Sequence, residues 1–336
     1  MQVQRATAIR IGITVIPALR FAFILLSCLG LAFCEQREDT LSNGARAEPG
    51  VSSGATRILV NSDLVVIPVT VTDSKGRVVS GLQKEHFTLY EDKVEQAITH
   101  FAAEDAPVSI GLIFDTSDSM SPKLPKARDA VAALLKNANS EDEFFLVEFN
   151  HRARLMVGMT KHSEGIQSRM AMVQTSGSTA LLDAVLLGLN EMRNAHHTRK
   201  AIIIISDGED NASHCSVGEL KAAVRQADVL IYAIGIGDSA TSSQTWPPQK
   251  LTGSALLDDI ARQTGGRMFE VNKLKQLPDI AWKIGAWLRN HYVLAYAPNN
   301  PDNYRGYHHI QVKLARPKGF PRLHAVWRLG YYTPAE

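Results

Sequence analysis

The chain has 336 residues, 45% of them hydrophobic and 21% charged, which excludes wholesale disorder, collagen-like repeats and low-complexity architecture. Lys and Arg number 36 and Asp and Glu 34, a formal net charge of +2, without the strongly basic balance that nucleic-acid binding calls for. Three cysteines cannot build a disulfide scaffold.

Residues 1–34 contain Arg5, Arg10 and Arg20 and no acid, so the slight positive balance belongs to the N-terminus. After Arg20 comes the apolar run Phe21–Phe33. Basic residues followed by a short apolar stretch are the layout of a secretory signal, and the run is shorter than the roughly 20 residues a membrane span needs. An uncleaved anchor extending back through Ile11–Leu19 is the alternative, and it would place Arg20 in hydrocarbon. Cys28 and Cys34 each partly match a lipoprotein attachment box. Apolar residues continue past the first, and bulky Phe33 precedes the second. Residues 1–34 are therefore expected to be a signal peptide of an exported protein, periplasmic, envelope-bound or secreted, with membrane attachment through the N-terminus as a variant. Residues 35–56 are rich in Gly, Ser, Ala and charge without apolar period, the composition of a flexible linker.

From residue 57 the pattern becomes β. Val65–Thr72 is rich in β-branched residues, and Pro68, which cannot donate to a ladder, argues for an edge strand or bulge. Asp73-Ser74-Lys75-Gly76 signals a turn. Phe87–Glu91 alternates as a strand, and Ile98–Phe101 is a third candidate. From Val108 strand-like and helical segments alternate. Strands are expected at Val108–Phe114, Phe144–Phe149, Arg154–Met159, Ala201–Ile205, Val229–Ile236 and Arg267–Val271. Helices are expected at Leu124–Asn137, Ala180–Met192, Val217–Ala227, Leu256–Gln263 and Leu274–Arg289. Such alternation predicts a mostly parallel sheet covered on both faces. From His291 strands return alone, at Tyr292–Tyr296, His309–Leu314 and His324–Tyr331. Neither β piece is large enough to bury a core by itself. The expected architecture is thus an α/β doubly wound domain over residues 106–290, inserted in a small β-sandwich built jointly by residues 57–105 and 291–336.

The chemistry-bearing residues cluster after the parallel strands. Asp115-Thr116-Ser117-Asp118-Ser119 follows the first one directly, Ser176-Gly177-Ser178-Thr179 precedes a helix, and Ser206-Asp207-Gly208-Glu209 follows the Ala201–Ile205 strand. In open α/β sheets ligands bind beyond the carboxyl ends of the strands. Asp115, Ser117, Ser119, Thr179 and Asp207 are all hard oxygen ligands of the kind Mg²⁺ prefers. Taken alone, Asp115, Ser117 and Ser119 could merely form a hydrogen-bonded turn capping the next helix. Glu209 and Asp210 read as a solvated acidic loop.

These three segments, in this order and spacing, resemble the von Willebrand factor type A domain, and the resemblance extends over roughly residues 106–290. Asp-x-Ser-x-Ser with a distant Thr and Asp resembles its metal-ion-dependent adhesion site. The flanks (IPVTVTDSKGRVVSGLQKEHFTLYED, IARQTGGRMFEV and YVLAYAPNN) resemble a group of exported bacterial proteins in which β segments bracket a type A domain. The resemblance implies a site of Asp115, Ser117, Ser119, Thr179 and Asp207 for Mg²⁺, or Mn²⁺ or Ca²⁺. It also implies a protein partner whose Asp or Glu carboxylate completes the coordination. One departure is Asp118, where bacterial members often carry Gly.

Two other readings stay open: metal-assisted hydrolysis with Asp115 and Asp207, and an envelope protein whose metal only ties loops together. No Walker-type loop occurs in the sequence, so the chain is not expected to be an enzyme. His196-His197 and His308-His309 match no common zinc spacing and are expected to be solvated. Trp282 and Trp287 are expected to serve core or interdomain packing.

Overall fold

A computed structural model describes residues 64–103, 106–237, 253–298 and 306–333. The expected signal peptide and linker lie outside these residues. The elements in chain order begin with β1 (Val65–Asp73), β2 (Phe87–Glu91), β3 (Val94–Gln96), β4 (His100–Ala102) and β5 (Val108–Asp115). Next come α1 (Leu124–Lys136), β6 (Glu143–Phe149), β7 (Ala153–Thr160), α2 (Ser163–Met172) and α3 (Leu181–Glu191). The series continues with β8 (Arg199–Ser206), α4 (Val217–Gln226), β9 (Leu230–Ile236), α5 (Gly253–Thr264), β10 (Arg267–Val271) and α6 (Leu277–Arg289). It closes with β11 (Tyr292–Tyr296), β12 (Gly306–Leu314), β13 (Leu323–Trp327) and β14 (Gly330–Thr333).

The central sheet has the order β10-β9-β8-β5-β6-β7. Its pairs are parallel except β6–β7, which is antiparallel. β5 and β8 are buried along nearly their whole length, which their unbroken apolar runs require of a sheet covered on both faces. Period-2 alternation sends their side chains to two separate cores. Ile110, Leu112 and Phe114 meet α1 and α6 on one face, whereas Ile113, Ile202 and Ile204 meet α3, α4 and α5 on the other. Each such fully buried side chain contributes about 1.5–3 kcal/mol.

The flanking strands form two four-stranded sheets, β13-β1-β11-β4 and β14-β12-β2-β3. Each draws strands from both ends of the chain, and one core joins them through Ile67, Val69, Leu89, Tyr292, Leu294 and Val312. The α/β domain is therefore inserted in a sandwich that the two flanks build together.

Several local expectations change. Pro68 lies on an inner strand, not an edge: it pairs with Val293, while the ladder to β13 runs only over Val69–Asp73, so its missing N–H falls where that neighbour ends. The segment expected as one strand over His324–Tyr331 breaks at Arg328-Leu329, because β13 joins one sheet and β14 the other. Helix α2 and strand β3 add to the expected set. Trp287 is buried, and its indole N–H donates to Gly76 O at 3.1 Å, tying α6 to the sandwich. Trp282 on the same helix packs into neither core; it is 54% exposed.

Candidate metal centre

Within the central sheet, chain order reverses between β5 and β8: from β5 the chain moves outward to β6 and β7, then returns to β8 on the other side. Such a switch point opens a crevice at the carboxyl ends of the strands. Asp115 is the last residue of β5, and Asp207 directly follows β8. The two carboxylates thus reach one crevice from neighbouring strands.

The loops are bound to each other through the backbone. Asp118 N donates to Gly177 O at 3.0 Å and Ser176 N to Thr116 O at 2.8 Å, joining the β5 loop to the loop before α3. Asn211 N and Ala212 N both donate to Thr179 O at 3.0 Å, joining that loop to the one after β8. Thr179 N in return donates to Asn211 Oδ1 at 2.8 Å.

Asp115 is fully buried. Its Oδ1 accepts from Ser117 N at 2.8 Å and its Oδ2 from Ser206 Oγ at 2.6 Å. Burial pushes its carboxyl up to about 6; the Ser117 and Ser206 hydrogen bonds oppose this, and the negative charge of Asp207 adds to it. Ser117 is buried and Ser119 exposed, with their hydroxyls 3.1 Å apart. Thr179 is buried at the start of the α3 approach. Gly208 holds φ at +86°, a conformation that favours glycine, and its N–H donates to Ser206 Oγ. Asp118 is exposed at the first position of a single 3₁₀ turn, Asp118–Met120.

The β5–α1 connection also delivers Lys123, the residue capping the N-terminus of α1. Its ammonium lies 3.2 Å from Asp207 Oδ2, and the two side chains are only 4% and 8% exposed. Asp207 Oδ1 is buried and has no hydrogen-bond partner among the described residues. A buried carboxylate oxygen without a donor is costly, and a cation is what such an oxygen accepts. Among the described residues no three His, Cys, Asp or Glu side chains form a metal cluster. The donor set is two carboxylates and three hydroxyls, hard oxygens that suit Mg²⁺ better than zinc.

Sequence reasoning missed three contributors. Ser206 orients Asp115 from the end of a strand. Lys123 sits 84 residues from the aspartate it meets, and lysine by type reads as surface. Asp210 is not merely solvated: its Oδ1 accepts from Leu181 N at 2.9 Å and Ser213 Oγ at 2.6 Å, anchoring the start of α3. In the histidine pairs, the His196 ring bonds Glu143 and the His308 ring bonds Asp92. A cavity of about 110 Å³ lies at the opposite end of the sheet, lined by Val108, Arg199, Leu230 and His291, away from this oxygen cluster.

Residues 110–209 match the family model of the von Willebrand factor type A domain. Inter-alpha-trypsin inhibitor heavy chain H2 of Sus scrofa is 30% identical over 159 residues, 41% of this chain and 17% of that protein. The uncharacterised protein sll0103 of Synechocystis is 23% identical over 140 residues, 39% of this chain and 33% of that one. This chain thus spans a third or less of these relatives. Among solved structures, a von Willebrand factor type A protein of Catenulispora acidiphila covers 81% of this chain and 74% of its own, with 13% identity and a TM-score of 0.47. The hypothetical protein BatB of Bacteroides thetaiotaomicron covers 53% and 97%, with 19% identity and a TM-score of 0.42.

Proposed function

From the premise that this chain carries a von Willebrand factor type A domain, we propose that it is a divalent-cation-dependent protein-binding module of an exported protein and not an enzyme. Type A domains commonly serve as protein-interaction modules. The residues that would hold Mg²⁺, or Mn²⁺ or Ca²⁺, are Asp115, Ser117, Ser119, Thr179 and Asp207. The single observation carrying this reading is the buried Oδ1 of Asp207, unpartnered among the described residues, beside a second buried carboxylate and the paired hydroxyls of Ser117 and Ser119. A bound ion would supply positive charge and an open position for the Asp or Glu carboxylate of a partner protein.

The chain's own residues prepare that task. Ser117 N and Ser206 Oγ fix both oxygens of Asp115, so the carboxylate is oriented before anything binds. Lys123 offsets one of the two acidic charges, which keeps the site from neutralising a dication outright. Ser119 and Asp118 are exposed at the rim, where an incoming protein would meet them. Export follows from the basic N-terminus and apolar run of residues 1–34; partner, envelope attachment and location belong to the same proposal.

The test is calorimetry and thermal unfolding of the purified chain. Mg²⁺ or Mn²⁺ at millimolar concentration should bind and raise the melting temperature by mass action. Asp115→Ala and Asp207→Ala should abolish that response. A folded wild-type chain that binds none of the three cations at those concentrations removes the proposal. Capture of an acidic partner in Mg²⁺ and its release by EDTA would carry the metal to the interface, whereas equal capture in both buffers would detach binding from the ion.

A further inference from the structure

We infer that Lys123 is a built-in competitor of the divalent cation: its ammonium holds Asp207 when the metal is absent, lowers metal affinity, and leaves the loaded site positively charged toward an acidic partner. The inference rests on the metal-centre reading above.

Lys123 is placed by structure and not by chance of a flexible side chain. Its backbone N–H donates to Met120 O at 2.9 Å, in the turn directly after the 3₁₀ turn Asp118–Met120, and its carbonyl accepts from Ala127 N at 3.0 Å in the first turn of α1. The side chain then runs inward to Asp207 Oδ2 across 3.2 Å. A lysine is rarely buried without a reason that repays its lost hydration. Here that reason is a neighbouring carboxylate in a crevice that holds a second one.

The charges decide the consequence. Asp115 and Asp207 bring two negative charges to the crevice when ionised, and Lys123 returns one positive charge. Among these three groups the metal-free balance is one negative charge, and a dication turns it to one positive charge. Without Lys123 the same dication would only reach neutrality. The ammonium already holds one oxygen of Asp207, so an ion accepted by the other oxygen sits within a few ångströms of a like charge, in surroundings that screen it poorly. Lys123 thus trades cation affinity for attraction of a partner's carboxylate, and it keeps Asp207 compensated between binding events.

The experiment compares the full wild-type chain with Lys123→Met and Lys123→Arg, titrated with Mn²⁺ by calorimetry and melted with and without EDTA. Lys123→Met should bind Mn²⁺ about tenfold or more tightly, the order expected for removing one like charge at close range. In EDTA it should melt below wild type, and Mn²⁺ should close that gap. Lys123→Arg should keep wild-type affinity within a few-fold. Acetate, followed through the relaxation that bound Mn²⁺ imposes on its methyl protons, should approach the loaded wild-type site more than the loaded Lys123→Met site. If Lys123→Met does not fold, Lys123→Gln reads the same affinity. Equal or weaker Mn²⁺ binding by the uncharged variant, with wild type binding, overturns the inference and leaves the metal centre standing. Folded wild-type and variant chains that both ignore Mn²⁺ remove the metal centre itself.

Discussion

Asp115 and Glu143 are both buried carboxylates, and the balance of burial against hydrogen bonding shifts them in opposite directions. Asp115 is raised to about 6 because burial outweighs its serine donors. Glu143 suffers burial as well, but Ser109 Oγ, His196 N and the His196 ring all bond its carboxylate, and it is drawn down to about 2. With the folded value below the ordinary 4.5, the stabilisation is complete above about pH 4.5 and is lost as pH falls toward 2. Glu143→Gln should therefore lose about 1–3 kcal/mol near pH 7. In denaturant titrations the gap to wild type should shrink steadily below pH 4.5; a gap independent of pH would assign it to packing instead. At the rim, Asp118→Gly should strengthen capture of an acidic partner in Mg²⁺, since it removes an exposed negative charge from the loop that carries Ser117 and Ser119; unchanged capture would place that side chain away from the contact. At this scale the sequence was legible where residue type and chemistry coincide. Asp, Ser and Thr announce themselves as oxygen donors, so five candidate positions could be named. Lys123, Ser206 and Asp210 could not, because their roles arise from partners 84, 91 and 29 residues away that only folding brings near.

Among the elements, β8 was readable because five consecutive small or branched apolar residues, Ala201–Ile205, have no stable place except between two covering layers. Helix α2 was not. It buries only Ile166 and Met170, so its apolar face is too thin to stand out among Ser, Glu, Gln and Arg. The turn after α5 shows a different kind of information. A Cβ on Gly265 would lie 2.4 Å from Arg328 N and 2.5 Å from Trp327 C, backbone atoms of the sandwich, and its φ is +84°. The next glycine, Gly266, would meet Ile231 O at 1.9 Å. The pair lets the α5–β10 connection pass against β9 and the end of β13 at once. Gly265→Ala should cost about 2–4 kcal/mol, combining backbone strain with forced separation of two main chains. Thermal or denaturant unfolding checks it, and a change below about 0.5 kcal/mol would mean that the sandwich yields without loss.

At the scale of the molecule, the insertion could be foreseen from two β flanks too small to stand alone, but the sheet assignment of their strands could not. The break between β13 and β14 carries no strong turn signal, and only the need to supply two sheets explains it. β11 lies between β1 and β4, so deleting residues 291–336 should strip both of a partner, expose Ile67, Val69 and Leu89, and cause aggregation. A soluble fragment of residues 64–290 with intact β signals by NMR would contradict the shared core. The two strands at the mouth of the insert, β4 and β11, are direct neighbours, with Ala102 opposite Val293. This adjacency has a mechanical meaning. Tension applied between residues 64 and 333 enters and leaves through the sandwich, and the α/β domain hangs from two anchorage points side by side, outside the line of load. In optical tweezers the sandwich should rupture first and the inserted domain only afterwards, when β4 and β11 have parted. A domain suspended in this way keeps its shape while the chain that carries it is being pulled.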